Sequence, residues 1–144
     1  MNHRLASPLL LATAVIAVAT ACADDPNVPA AGVPGEYHAT TFTVSSGGPA
    51  VNLLASGASL TMTLFPDHTT TGRLVVPAAV AGGIAVDESL AGTWRQSNDT
   101  VHFDESADTF VRDVPFVVRG NSLGAAYTTP GGQLLVTLSK YGPD

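Results

Sequence analysis

Residues 59–76 read SLTMTLFPDHTTTGRLVV, and this stretch decides the fold. In its first half, apolar side chains alternate with threonines, and the apolar ones are Leu60, Met62 and Leu64. Successive residues of a strand point to opposite sides, so a period of two places these three side chains on one face. Residues 66–68 (PDH) then form a turn signal, and the alternation resumes through Leu74 and Val76. The stretch predicts an antiparallel hairpin with one apolar face.

The same signals continue along the rest of the chain. Turn residues separate short runs of Thr, Val and Leu roughly every 8 to 12 residues, a spacing typical of β-sandwiches and β-barrels. Eight strands are predicted, at residues 36–44, 59–65, 69–76, 90–96, 100–104, 109–119, 122–128 and 133–141. The longest of them, 109–119, is expected to bend near Pro115. Residues 77–88 are interpreted as a loop that caps one end of the sheet, because Gly82 and Gly83 disfavour a helix there.

Composition restricts the class of protein before any motif is considered. The 144 residues are 45% hydrophobic and 12% charged, with one cysteine and a formal net charge of −6. A disordered chain would carry more charge, and a disulfide-stapled miniprotein would carry paired cysteines. A negative chain also lacks the basic surface that binds phosphates, so nucleic acid is not expected as a partner. The composition therefore predicts one small globular domain.

The N-terminus has the layout of a secretion signal. After Arg4, residues 5–21 form an uncharged run of seventeen residues. A helix of that length falls short of the roughly 30 Å hydrocarbon core, and Pro8 interrupts its start, so a permanent membrane span is the weaker interpretation. Residues 1–21 are therefore predicted to be a signal peptide with a helical core.

The end of that run, residues 19–22 (ATAC), resembles the lipobox of bacterial lipoproteins. The resemblance implies that Cys22 is acylated with palmitate-like chains and becomes the new N-terminus. Ala19 stands where that family usually has leucine, and residues 19–21 also fit an ordinary secretory cleavage site, which would release a soluble protein. The lone cysteine at this junction favours acylation, because a free thiol is a liability in an oxidising compartment. Residues 22–34, rich in proline, are then a flexible tether, and 35–144 form the β domain.

Two short motifs suggest that the strands close on themselves. Gly35-Glu36-Tyr37 and Gly92-Thr93-Trp94 both place a glycine two residues before an aromatic at the start of a strand. Glycine lets the backbone bend tightly, and the aromatic plugs the end of a barrel. In this respect the chain is similar to bacterial lipocalin-like and calycin-type lipoproteins. That resemblance implies an eight-stranded antiparallel up-and-down barrel in the cell envelope, with room for a small apolar ligand.

The predicted interior supports either a pocket or a filled core. Tyr37, Met62 and Trp94 are the residues expected to line a pocket for a small hydrophobic ligand. Eight strands enclose a space just wide enough for side chains or for one small ligand. The side chains that together would fill it are Leu60, Met62, Leu64, Leu74, Trp94, Phe103, Phe116 and Leu138.

Residue types that carry chemistry are sparse. His38, His68 and His102 lie on different strands or turns without the close spacing of zinc ligands. The acidic segment 104–113 lacks the glycine of a calcium loop, and the serines lack a nucleophile motif. These features predict no catalytic residues, no metal and no cofactor. The predicted function is that of a non-enzymatic lipoprotein, bound to the membrane through Cys22 on the periplasmic side or at the outer membrane. It either binds a small hydrophobic ligand or acts as a structural or interaction protein, in which the barrel's outer face or loop 77–89 contacts an envelope component.

Overall fold

The computed structural model describes residues 32–141, and these form an all-β barrel. The described residues contain ten strands in chain order: β1 (Gly35–Ser45), β2 (Val51–Asn52), β3 (Ser59–Leu64), β4 (Thr69–Val76), β5 (Val86–Ser89), β6 (Gly92–Ser97), β7 (Thr100–Glu105), β8 (Phe116–Arg119), β9 (Ser122–Thr129) and β10 (Gly132–Tyr141). A 3-10 turn at Leu54–Ser56 and one helical turn, α1 (Phe110–Asp113), interrupt the strands. The predicted leader 1–21 and Cys22 lie outside the described residues.

Eight of these strands close into the barrel that the sequence predicts. Each pairs antiparallel with its neighbours in the order β1, β3, β4, β6, β7, β8, β9, β10, and β10 returns to pair with β1. The closing ladder runs from Glu36 opposite Tyr141 to Ser45 opposite Gln133, with an irregularity between Ala39 and Thr41. The short strands β2 and β5 pair with β1 and β4 outside this ring. Closure removes the exposed sheet edge that would otherwise invite aggregation.

The alternation in residues 59–76 points its apolar side chains inward as predicted. Leu60, Met62 and Leu64 are buried on β3, while the threonines between them are half-buried. All eight side chains expected to fill the interior are buried, and they belong to one continuous hydrophobic core. Burying a side chain of this size contributes roughly 1.5–3 kcal/mol, so this set carries much of the fold's stability.

The glycine of the second Gly-x-aromatic motif is required by close packing between strands. Gly92 pairs with Glu105 across β6 and β7. A Cβ at Gly92 would collide with the carbonyl oxygen of Asp104 and lie 2.9 Å from the Cα of Glu105. Only a residue without a side chain therefore lets β7 approach the start of β6.

The predicted long strand 109–119 is wrong in its first half. Thr109 has extended backbone angles and its hydroxyl accepts the N–H of Val111, which starts the helical turn α1. Threonine is a favoured N-cap, and this local hydrogen bond outweighs the strand propensity of the residues that follow. Val114 returns to extended angles because it precedes Pro115, and only Phe116–Arg119 pair as a strand.

The predicted loop 77–88 is also shorter than expected. Its last residues enter β5, which pairs with β4 from Arg73 opposite Ser89 to Val76 opposite Val86. This pairing occupies the second half of β4, so β6 pairs with β4 only at Thr69 and Thr70. Upstream of β5, Val80 and Ala81 pack against the core, as the cap predicted for this segment requires.

The barrel has two distinct ends. We call one the terminal end, because Gly32 and Tyr141 lie there together with the short turns 65–68, 98–99 and 120–121. At the other end, the loop end, the chain makes its long connections, 46–58, 77–91 and 106–115. The two ends therefore differ in the length of the connections that cover them.

Candidate functional site

The three residues predicted to line a pocket lie in the buried interior. Tyr37 and Met62 are brought together, because they are opposite each other on β1 and β3. Trp94 lies on β6, and all three side chains are at most 2% exposed. The structure thus places them among the core side chains, with Tyr37 and Trp94 near the terminal end.

The polar atoms of the two aromatics are committed to the chain itself. The Tyr37 hydroxyl donates to the carbonyl oxygen of Val33 at 2.6 Å, and burial raises the pKa of Tyr37. The Trp94 Nε1–H donates to the carbonyl oxygen of Phe65 at 3.0 Å, and the His68 ring lies 4.9 Å from the Trp94 ring. Buried Tyr and Trp need such partners, and here backbone carbonyls supply them. These two side chains therefore act as plugs of the terminal end.

A cleft opens at the loop end instead. Its volume is about 350 Å³, which lies within the range of small-molecule sites. Most of its lining is aliphatic or aromatic. The lining residues are Phe42, Val44, Leu53, Leu74, Val76, Val80, Ala81, Val86, Asp108, Thr109, Phe110 and Leu134. Tyr37, Met62 and Trp94 are not among them, so this loop-end cleft is separate from the pocket that the sequence predicts.

Phe110 stands at the rim of the loop-end cleft. It lies on α1, and its ring centroid is 5.9 Å from that of Phe42 and 6.4 Å from that of Tyr127. Beyond it a second depression of about 670 Å³ continues over Tyr127 and Gln133 and shares Phe110 with the cleft. Phe110 reaches this position only because Thr109 turns the chain into α1.

A buried carboxyl group lies beside the cleft. Glu105 ends β7, is 5% exposed, and follows the inward-facing Val101 and Phe103 at alternate positions. Its Oε1 accepts the Thr109 hydroxyl at 2.8 Å. Its Oε2 is buried and has no hydrogen-bond partner in the part of the chain that the structure describes. Leaving such an oxygen buried without a hydrogen bond costs roughly 1–3 kcal/mol of folding free energy.

Burial also changes the acidity of this group. Desolvation raises the pKa of Glu105, while the hydrogen bond from Thr109 and the positive charge of Arg112 act in the opposite direction. Arg112 is itself paired with Asp108 and, at 3.4 Å, with Asp113 on the surface. The guanidinium therefore offsets only part of the cost of a buried carboxylate.

The other titratable residues singled out in the sequence stay apart. His38 Nε2 lies 2.7 Å from Glu36 Oε1, and its ring stacks on Tyr141 at the terminal end. His68 contacts Trp94, and His102 lies on β7 opposite Arg95. Within residues 32–141, His, Cys, Asp and Glu side chains form no group of three that would suit a metal ion.

Sequence reasoning missed the loop-end cleft and its acidic neighbour. One signal was available: the alternation of Val101, Phe103 and Glu105 places an acidic side chain in register with two inward ones. The helical turn that brings Phe110 and Thr109 to the rim was not foreseen, because the same residues fit a strand pattern.

The chain matches no protein-family model and has no significant match among curated proteins or solved structures. Among residues 32–141, no helix has the length and apolar character needed to cross a bilayer.

Proposed function

We propose that this chain is a lipid-anchored protein of the cell envelope whose lipocalin-like barrel binds a small hydrophobic molecule in the loop-end cleft. The observation that carries the proposal is the cleft itself, about 350 Å³ with a mostly apolar lining at one end of a closed barrel. Apolar pockets with a few polar groups are the usual form of small-molecule sites. The proposal assigns no chemical reaction and no cofactor.

The anchor rests on the sequence. Cys22 is the single cysteine of the chain and follows an apolar run that resembles a lipobox. Two or three acyl chains on one residue hold a protein at a membrane far longer than one chain does. The described chain begins at Gly32, at the terminal end. An anchor upstream of Gly32 would leave the loop-end cleft on the side of the barrel away from the attachment point.

Filling the cleft tests the binding proposal. We expect Ala81→Trp to abolish binding of diphenylhexatriene, a hydrocarbon probe that fluoresces in apolar sites, because Ala81 lines the cleft. The matched control is Ala79→Trp, an exposed position two residues earlier in the same segment, which should leave the signal unchanged. The measurement is a fluorescence titration. Absence of binding by the unmodified barrel, or equal binding by both variants, contradicts a ligand site in this cleft.

Removing the thiol tests the anchor. Cys22→Ser eliminates the sulfur that would carry the acyl chain, so we expect the protein to leave the membrane fraction. Cell fractionation measures the location of the protein, and mass spectrometry of its N-terminus shows whether acyl chains are attached. A Cys22→Ser chain that remains in the membrane fraction would contradict lipid anchoring while leaving the cleft proposal intact.

One observation favours a second function, that of an interaction protein. Ile84 is 80% exposed in the 77–89 segment, and a large aliphatic side chain at a loop tip suits contact with another envelope component. A photo-reactive amino acid at position 84 should then form a crosslink in intact cells. The same group at position 141, on the opposite end of the barrel, serves as the control.

A further inference from the structure

Glu105 has an incomplete set of hydrogen bonds in the barrel interior. It is buried on the inward face of β7, and its Oε2 has no partner among residues 32–141. A protonated carboxyl would leave an O–H unsatisfied, and a carboxylate would leave an acceptor unsatisfied. In either form the fold bears a cost that a bound group with hydrogen-bonding capacity would relieve.

Thr109 connects this carboxyl to the loop-end cleft. Its side chain lines the cleft, and its hydroxyl donates to Glu105 Oε1 at 2.8 Å. The rest of the cleft wall near α1 consists of Asp108 and Phe110. The polar groups of an otherwise apolar cleft are therefore gathered where β7 ends and α1 begins.

We propose that the Glu105–Thr109 pair is the polar recognition point of the loop-end cleft, and that its ligand is an apolar molecule with a hydrogen-bond-donating head group, an amine or a hydroxyl. This inference rests on the proposed binding function and adds the ligand's chemical class. The apolar wall would hold the body of the molecule. Glu105 lies behind the lining of the cleft, so the head group would reach past Thr109 to donate to Oε2.

The charges around the site favour a donor over an anion. Asp108 lines the cleft beside Thr109, and the nearby Arg112 is engaged by Asp108 and Asp113. A carboxylate or phosphate head group would meet Glu105 and Asp108 without a free cation on α1 to compensate. Burial raises the pKa of Glu105, and an ammonium group beside it would counter that effect.

The test compares head groups on one chain length. Decylamine, decan-1-ol and decanoate are each titrated against diphenylhexatriene bound to the secreted chain. The chain carries Cys22→Ser, which removes the proposed acylation site. We expect the amine and the alcohol to displace the probe at concentrations about tenfold lower than decanoate, since a hydrogen bond to a charged group is worth about that factor. Equal potency of the three would overturn the inference.

The net negative charge of the chain attracts any amine, independently of Glu105. Two variants that each lose one carboxylate charge separate this general attraction from binding at Glu105. Glu105→Gln retains an acceptor for Thr109 but loses the charge, and it should reduce the preference for amine over decanoate about tenfold. Asp104→Asn removes the same charge from the exposed neighbour on β7 and should leave the preference unchanged. An equal effect of the two variants would overturn the inference.

A measurement on the unsubstituted carboxyl covers the case in which Glu105→Gln does not fold. The chain has three glutamates, so ¹³C labelling of their carboxyl groups yields a simple spectrum. Decylamine should shift the Glu105 signal and leave those of Glu36 and Glu88 in place. Probe binding without this shift would overturn the inference but keep the proposed function, whereas absence of probe binding would overturn both.

Discussion

At the terminal end of the barrel, the buried Tyr37 and Trp94 side chains donate to backbone carbonyls, whereas at the loop end a buried carboxyl oxygen has no partner among residues 32–141. Tyr37 and Trp94 are satisfied by Val33 and Phe65. Glu105 is half-satisfied by Thr109. The same eight strands thus produce one end that is complete within the chain and one that retains both space and hydrogen-bonding capacity.

The difference shows how a small barrel can separate stability from binding. The terminal end uses short turns and large rings, so its interior is packed and contributes to folding free energy. The loop end uses long connections, and these leave a cleft between the 77–91 segment and α1. Substitutions at the terminal end should therefore change stability, and substitutions at the loop end should change binding.

The largest expected effect is that of Trp94→Ala. Trp94 is buried, so its truncation should lower the free energy of unfolding by about 3–5 kcal/mol. Urea denaturation measures this, and diphenylhexatriene binding in the folded protein should change little. Trp94→Phe, which retains a ring but loses the hydrogen bond to Phe65, should be intermediate. A stable Trp94→Ala protein that no longer binds the probe would place the ligand at the terminal end and break the comparison.

A smaller effect is expected for Tyr37→Phe. This change leaves the ring in place but removes the donor to the Val33 carbonyl, and it should cost about 1–2 kcal/mol. Tyr141→Phe is the matched control, because Tyr141 is 69% exposed and its change should stay within about 0.5 kcal/mol. Equal midpoints for the two variants in urea would show that the plug does not depend on this hydrogen bond.

The smallest effect concerns pH at the loop end. Because burial raises the pKa of Glu105, the folded chain holds a proton that the unfolded chain releases in the window between the ordinary and the raised value. The free energy of unfolding should therefore fall as pH rises through that window, and Glu105→Gln should lack this fall. Urea denaturation from about pH 4 to about pH 8 measures the free energy of unfolding of both proteins. The stability of Glu105→Gln relative to the unsubstituted protein should increase as pH rises. A difference that stays constant with pH would contradict a desolvated Glu105.

How far the sequence predicts the molecule depends on the range of the interaction. The period of two in residues 59–76 identifies which side chains turn inward, and the Gly-x-aromatic motifs identify the plugs, because both signals act within a few residues. The strand predicted at 109–119 was wrong in its first half because two local signals compete there. The residues have the period of a strand, but the Thr109 hydroxyl accepts the N–H of Val111 and starts a helical turn.

The candidate site could not be predicted from the sequence, because it is formed by residues far apart in the chain. The loop-end cleft is assembled from residues of seven separate segments, such as Phe42 on β1, Val86 on β5 and Leu134 on β10. Their proximity depends on the closure of β10 onto β1 and on the pairing of β5 with β4. Local periodicity does not indicate which connections remain separated and leave a cleft at the end of the barrel.

By itself, the sequence determined the all-β character of residues 35–141, the inward faces of the strands and the number of strands in the barrel. Those properties follow from alternation and turn chemistry, which are local. Tertiary structure alone decided which end is packed and which is open, and it left Glu105 buried without a second partner in the described part of the chain. Packing and solvation of that kind depend on contacts between distant parts of the chain, and only the closed barrel brings these together.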